Sequence, residues 1–222
     1  MRLPDCGSTT GACPMRITVL TDRAPRQVRE DLSGFAVRHT SDWERWHAVA
    51  EDRRTALFAL TLGKWQATRP YPLRRPRSSA VHESPYLDDL IAWAEPHLLA
   101  ISDLDVRNID GMTSEQEQAL EALWDIFSRL PSRGSASCVG ITKAILLLTD
   151  GRVGPALDSM VVKGLAIPRP TTAGGWIALL RAVSEDLRGF EAKYGVKLAS
   201  VVPEEFAHLE CGRLYDMALG PR

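Results

Sequence analysis

Apolar residues along this chain recur mostly at the three- and four-residue intervals of amphipathic helices. Most segments with this period begin at a residue able to cap a helix and end near a proline or a glycine. The first long segment begins with Ser41 and Glu44 in the spacing of a capping box. We therefore predict helices over residues 41–68, 84–101, 113–130, 141–148, 158–165 and 171–194, and a last helix that begins at residue 202.

Two short segments, residues 15–20 and 197–202, instead have the composition of strands. The chain has 222 residues, enough for one sizeable hydrophobic core. We predict a mainly α fold, with a single multi-helix domain over residues 15–222, at most one or two short strands, and a disordered tail over residues 1–14. No apolar run reaches the roughly 18 residues of a membrane span, so we expect a cytoplasmic protein without a membrane segment.

The formal net charge of −1 gives no global attraction to nucleic acid or to a membrane. The charge is unevenly distributed, because residues 83–125 contain eleven acidic residues and one base, Arg107. That segment carries −10 and the rest of the chain +9. The acidic segment 83–125 is therefore a candidate surface for a basic protein partner, with a solvated surface as the alternative.

Basic residues cluster between Gly63 and His82, where five of them occur without an acid and with two aromatic residues among them. Such a segment can bind phosphates while its aromatic rings stack on bases. Arginine outnumbers lysine 22 to 5, as in GC-rich bacterial genomes, so a solvated arginine-rich loop is the alternative. Trp65 taken alone favours a position in the core. The candidate nucleic-acid-binding residues of this segment are Lys64, Trp65, Arg69, Arg74, Arg75 and Arg77.

The four cysteines have neither the paired spacing nor the neighbouring histidines of zinc or iron–sulfur sites, so we expect no metal site and no cofactor. His208 and Cys211 are three residues apart, a spacing at which an imidazole can promote a thiolate. Nothing in the sequence orients that histidine, which makes a cysteine nucleophile a minor hypothesis. Arg213 and Asp216 are interpreted as structural residues that tie the chain end to the domain.

Candidate catalytic chemistry lies in the segment CVGITKAILLLTDGRVGPALDSMV, residues 138–161. Lys143 occurs within a helix that is otherwise apolar nearly all round, so its side chain either extends to solvent or points into a cleft. Asp158 is placed to cap the following helix. A carboxylate at a helix N-terminus stays ionised, so a capping aspartate can also be catalytic.

This segment resembles the signature of the helix-hairpin-helix DNA glycosylases. In that family a Gly-Val-Gly hairpin is followed by a helix, a loop with Gly and Pro, and a catalytic aspartate at a helix start, and members with lyase activity add a lysine after the hairpin. Val139-Gly140 corresponds to the second half of the hairpin, Gly154-Pro155 to the loop, and Lys143 and Asp158 to the lysine and the aspartate. Cys138 stands in place of the first hairpin glycine, and the interval from Lys143 to Asp158 is shorter than is usual in the family.

The resemblance implies a helical glycosylase-type fold in which Gly140 binds DNA and Asp158 and Lys143 are catalytic. A flipped base would leave as the carboxylate stabilises the cationic sugar, and the lysine would form a Schiff base with that sugar. The leading hypothesis is a nucleic-acid-associated, glycosylase-like base-excision enzyme. The alternatives are a non-catalytic DNA-binding helical protein and a protein-interaction or defence-system component without enzymatic activity. The whole chain is also similar to a group of actinobacterial proteins through KWQATRP, GPALDS and GRLYDMALG, a similarity that implies no particular activity.

Overall fold

The computed structural model describes residues 15–35, 37–48, 54–65, 87–130 and 136–220. Within these ranges the chain is helical and contains no strand, which confirms the predicted mainly α, single-domain fold. The α-helices are α1 (Pro25–Ser33), α2 (Val37–His47), α3 (Arg54–Lys64), α4 (Leu87–Ala100), α5 (Ser114–Phe127), α6 (Cys138–Leu148), α7 (Ser159–Leu165), α8 (Ala173–Tyr194), α9 (Leu198–Val201) and α10 (Cys211–Leu219). Within the same ranges, two 3₁₀ turns cover Val106–Gly111 and Glu204–Phe206.

The described helices pack around one hydrophobic core. The 22-residue helix α8 packs against α5, α9 and the 3₁₀ turn Val106–Gly111, while α5 also contacts α4 and α6. Helix α10 is buried along its entire length and contacts α1, α7 and α9. Because burying one large apolar side chain contributes roughly 1.5–3 kcal/mol, this shared core is the main source of stability.

Several helix starts follow directly from local sequence and confirm the predictions. Thr113 and Gln116 form a capping box at α5, in which each side chain bonds the other residue's backbone N–H. Thr172 caps α8 by accepting a hydrogen bond of 3.1 Å from the Gly175 amide. Asp158 caps α7, as its position before the apolar run predicts.

The predicted single helix over residues 41–68 is wrong in its bounds, because α2 begins at Val37 and ends at His47, and the chain is again helical over Arg54–Lys64 in α3. Ser41 lies inside α2, where its hydroxyl donates to the Val37 carbonyl, so it does not cap a helix. The predicted last helix from residue 202 is also wrong. Residues 204–206 form a single 3₁₀ turn, and the final helix α10 begins at Cys211.

The two strand-like segments do not form strands. Residues 198–201 form the short helix α9. In the other segment the amides of Leu20 and Thr21 donate to the buried carboxylate of Asp186 rather than to a neighbouring strand. A side chain from α8 thus takes the place of a sheet partner.

No described helix is both long and apolar enough to cross a membrane. The predicted tail 1–14 and the predicted helix start at Ser84-Pro85 lie outside the described residues.

Part of the acidic segment 83–125 packs against bases of α8. Glu117 pairs with Arg181 at 2.8 Å, and Asp110 pairs with Arg188. The only base of the segment, Arg107, pairs in turn with Glu191 of α8 at 3.1 Å. Some of the excess negative charge is therefore balanced inside the domain.

Candidate functional site

Lys143 lies on α6, a helix with buried residues on all sides. Its side chain is only 12% exposed, and its ammonium group donates a hydrogen bond of 2.6 Å to the Trp65 carbonyl at the end of α3. Of the two orientations considered from sequence, the lysine therefore points into the protein rather than along its surface.

Asp158 lies close to this lysine, at the start of α7. Its Oδ1 accepts the backbone N–H groups of Met160 and Val161 at 2.9 and 3.0 Å, which fixes the carboxylate. Its Oδ2 lies 3.9 Å from Nζ of Lys143, an ion-pair distance too long for a direct hydrogen bond. The structure thus brings the lysine and the aspartate together, with one carboxylate oxygen turned toward the amine.

A second pair of opposite charges lies beside them. Arg213 and Asp216 on α10 are 3% and 6% exposed, and Arg213 Nη1 donates to Asp216 Oδ2 at 2.6 Å. The other oxygen, Oδ1, accepts the Ala156 amide at 3.0 Å, just before Asp158 in the chain. The sequence interpretation of a tie between chain end and domain describes these bonds, but it missed that the pair forms part of the pocket wall.

Three aromatic rings surround the Arg213 guanidinium. The Arg213 Cζ lies 5.0, 4.8 and 5.4 Å from the ring centres of Phe35, Trp43 and Trp65, and the two tryptophan rings are parallel. Among the described residues, Nε and Nη2 of Arg213 have no hydrogen-bond acceptor, so the ring faces are their main polar contact. We call these three rings the aromatic cage.

Two glycines, Gly151 and Gly212, allow α10 to lie close to the loop between α6 and α7. The Arg213 amide donates to the Gly151 carbonyl at 2.8 Å, and a Cβ added at Gly212 would lie within 2.8 Å of main-chain atoms of residues 151–154. Gly151 has φ +85°, a conformation that glycine adopts without strain. Backbone-to-backbone contact at this crossing places the Arg213–Asp216 pair next to the loop that leads to Asp158.

The two pairs of opposite charges, together with Phe35 and Trp65 of the aromatic cage, line one pocket. Its cavity volume is about 30 Å³, room for roughly two water molecules and too little for a nucleobase. The pocket is lined mainly by Phe35, His39, Trp65, Lys143, Asp158, Arg213 and Asp216.

Burial dominates the electrostatics of the pocket. Desolvation lowers the pKa of Lys143, while the nearby Asp158 acts in the opposite direction. Desolvation also raises the pKa of Asp216 to about 6, although Arg213 stabilises its ionised form. The pocket thus combines an amine with reduced affinity for its proton and a carboxyl group that titrates close to neutral pH.

The candidate nucleic-acid-binding residues are distributed differently. Lys64 pairs with Asp42 at 2.6 Å, and Trp65 is 6% exposed within the core, where it forms part of the aromatic cage. Gly140 is buried in the first turn of α6. The remaining candidates, which lie outside the described residues, are Arg69, Arg74, Arg75 and Arg77.

The minor hypothesis of a Cys211 thiolate is wrong. The Cys211 side chain is buried at the start of α10, and this burial raises its pKa to about 11, so the group is a thiol at neutral pH. Among the residues that the structure describes, no three His, Cys, Asp or Glu side chains are grouped so that they could hold a metal ion.

Comparison with known proteins gives no match: no protein-family model, no curated protein and no solved structure is detectably similar to this chain.

Proposed function

We propose that the protein acts on DNA as a glycosylase-like base-excision enzyme. Lys143 is the nucleophile, and the Asp158 carboxylate stabilises the cationic sugar. The observation that carries the proposal is the 3.9 Å approach of the Asp158 carboxylate to the Lys143 amine within one pocket. The resemblance of residues 138–161 to the helix-hairpin-helix glycosylase signature supports the same assignment.

An amine beside a carboxylate suits the later half of base excision, in which the sugar has already lost its base. The cavity has room for roughly two water molecules, so a sugar enters it only if the walls of the pocket move apart. In that step the neutral Lys143 amine attacks C1′ of the ring-opened sugar and water leaves, which gives a Schiff base. Transfer of a C2′ proton to water then breaks the C3′–O bond and releases the strand that carries a 5′-phosphate, and a second water molecule finally hydrolyses the imine and restores the lysine.

Asp158 is suited to assist because its two oxygens have separate tasks. Oδ1 is held by the amides of α7, and Oδ2 faces the amine and the pocket. A fixed negative charge at this position stabilises a cationic sugar or iminium without rearrangement of the site.

The test is borohydride trapping on a duplex oligonucleotide that carries one abasic site. We expect a covalent protein–DNA product from the wild type and none from Lys143→Ala. The matched control is Lys163→Ala, which removes an exposed lysine on the neighbouring helix α7 and should leave trapping unchanged. Asp158→Asn should slow trapping by about 100-fold while DNA binding is retained.

A DNA-retention assay at several salt concentrations, carried out beside the trapping, distinguishes the alternatives. Salt-dependent retention of DNA without a trapped product indicates a non-catalytic DNA-binding protein. Absence of DNA retention at low salt contradicts every DNA-directed function and leaves a protein-interaction role.

A further inference from the structure

The pocket holds two cations of unequal character. Lys143 and Arg213 both line it, on α6 and α10, and both are largely buried. Two positive charges that share a poorly solvated space raise each other's electrostatic energy, so the group that releases its proton more easily relieves the repulsion.

Arg213 is the cation that stays charged. Its guanidinium is held by the carboxylate of Asp216 at 2.6 Å and by the three rings of the aromatic cage. A guanidinium does not lose its proton in proteins, whereas a buried lysine does so readily.

Lys143 is held less firmly. Within the described part of the chain it has one hydrogen bond, to the Trp65 carbonyl, and one carboxylate at 3.9 Å whose other oxygen accepts the amides of α7. Burial is the largest cause of its lowered pKa; Asp158 and Asp216 oppose this effect and Arg213 adds to it. His39 on α2 is the remaining titratable group that lines the pocket.

We propose that Arg213 and Asp216 are positioning residues that set the protonation state of Lys143 through the field of their charges. This inference rests on the proposed role of Lys143 as a nucleophile. The fixed cation of the aromatic cage favours the neutral, reactive amine, and the carboxylate of Asp216 favours the protonated amine, with the larger influence of the two.

The two partners of this ion pair should therefore act in opposite directions. Removal of the Arg213 charge raises the pKa of Lys143 and leaves less free amine at neutral pH. Removal of the Asp216 charge lowers that pKa and leaves more. A purely structural ion pair predicts instead that both substitutions change Lys143 in the same direction, because loss of either partner would disturb the pocket in a similar way.

The experiment measures the titration of the Lys143 amine in the full-length protein without DNA. The protein is treated with isotopic formaldehyde and cyanoborohydride at a series of pH values, and mass spectrometry follows methylation of the peptide that contains Lys143. Lys163, exposed on α7, serves as the reference for reagent consumption. The pH midpoint of labelling is the readout, because it is independent of how accessible the amine is.

We expect Asp216→Asn to lower the midpoint by about one pH unit, a roughly tenfold gain of labelling at neutral pH, and Arg213→Gln to raise it by a smaller amount. Arg213→Lys, which restores a positive charge, should return the midpoint toward that of the wild type. If Arg213→Gln does not fold, Asp216→Asn and Arg213→Lys still test the proposal. Midpoints that do not move, or that move in the same direction in both charge-removing variants, overturn it.

The outcome is separable from that of the DNA assay. Midpoints that shift as expected without any trapped DNA leave the charge relationship intact and remove the proposed function. Trapping on abasic DNA with unmoved midpoints supports the proposed function and removes the charge relationship.

Discussion

Replacement of Gly212 by alanine is expected to destabilise the protein through one backbone collision. The added Cβ would lie 2.6 Å from the Gly151 carbonyl oxygen, 2.7 Å from the Gly154 nitrogen and 2.8 Å from the Arg152 carbonyl oxygen, whereas ordinary van der Waals contact begins at 3.4 Å. All three are main-chain atoms, so no side-chain rotation can relieve the overlap, and α10 or the loop must shift. Overpacking of this kind typically costs 1–3 kcal/mol, and we expect about 3 kcal/mol here.

Gly174→Ala is the matched control for this prediction. Gly212 and Gly174 are each the second residue of an α-helix, so the gain in helix propensity, up to about 1 kcal/mol, is common to both variants. A Cβ at Gly174 would have no atom within 4 Å, which leaves the collision as the difference between them.

Urea unfolding followed by far-UV circular dichroism measures the free energy of unfolding of both variants. We expect Gly212→Ala to be less stable than Gly174→Ala by about 3 kcal/mol, which for a chain of this length corresponds to a melting temperature lower by roughly 6–12 °C. A difference below about 0.5 kcal/mol would refute the close crossing of α10 and the loop.

Three further predictions concern buried polar groups. Thr142→Val removes the hydroxyl that accepts the Leu157 amide at 2.8 Å, and we expect chemical denaturation to show a loss of about 2 kcal/mol, with no loss contradicting that bond. Asp186→Ala removes the acceptor of two backbone amides and of the Tyr215 hydroxyl, so the same assay should show a loss of about 3–5 kcal/mol; a loss below 1 kcal/mol would argue against this cluster. Burial raises the pKa of Asp216 to about 6 in the folded protein, so the folded state favours the protonated carboxyl group. The stability that protonated Asp216 contributes is fully present below about pH 4 and is lost as the pH rises through 6. Urea titrations across this range should show the wild type losing on the order of 2 kcal/mol relative to Asp216→Asn, whereas parallel curves would contradict the raised pKa.

Features of the fold that depend on neighbours in sequence could be predicted. The capping box of Thr113 with Gln116 lies within four residues, and Asp158 caps a helix that begins at the next position. In such cases the hydrogen bonds that start a helix are specified locally. The break between α2 and α3 could not be found this way, because apolar periodicity continues across it.

The candidate site was predictable only in part. The proximity of Lys143 and Asp158 could be predicted from one segment, because only part of a helix and one loop separate the lysine from the capping aspartate. The aromatic cage joins Trp43 and Trp65 to Arg213 near the other end of the chain, and only the packing of α10 brings them together. The opposite charges of Arg213 and Asp216 at an i,i+3 spacing in an apolar helix were the one available signal, and that signal is shared with ordinary surface ion pairs.

The buried position of α10 has a consequence for biosynthesis. Arg23, ahead of α1, donates to the Ala218 carbonyl in α10, and Tyr215 bonds the same aspartate that holds Leu20 and Thr21. The contact between Arg23 and Ala218 joins residues more than 190 positions apart. Both contacts need α10, so they form only after this helix has left the ribosome. A nascent chain that stops short of Cys211 therefore carries Lys143 and Asp158 without the wall that encloses them, and any reactive amine is completed together with the last helix.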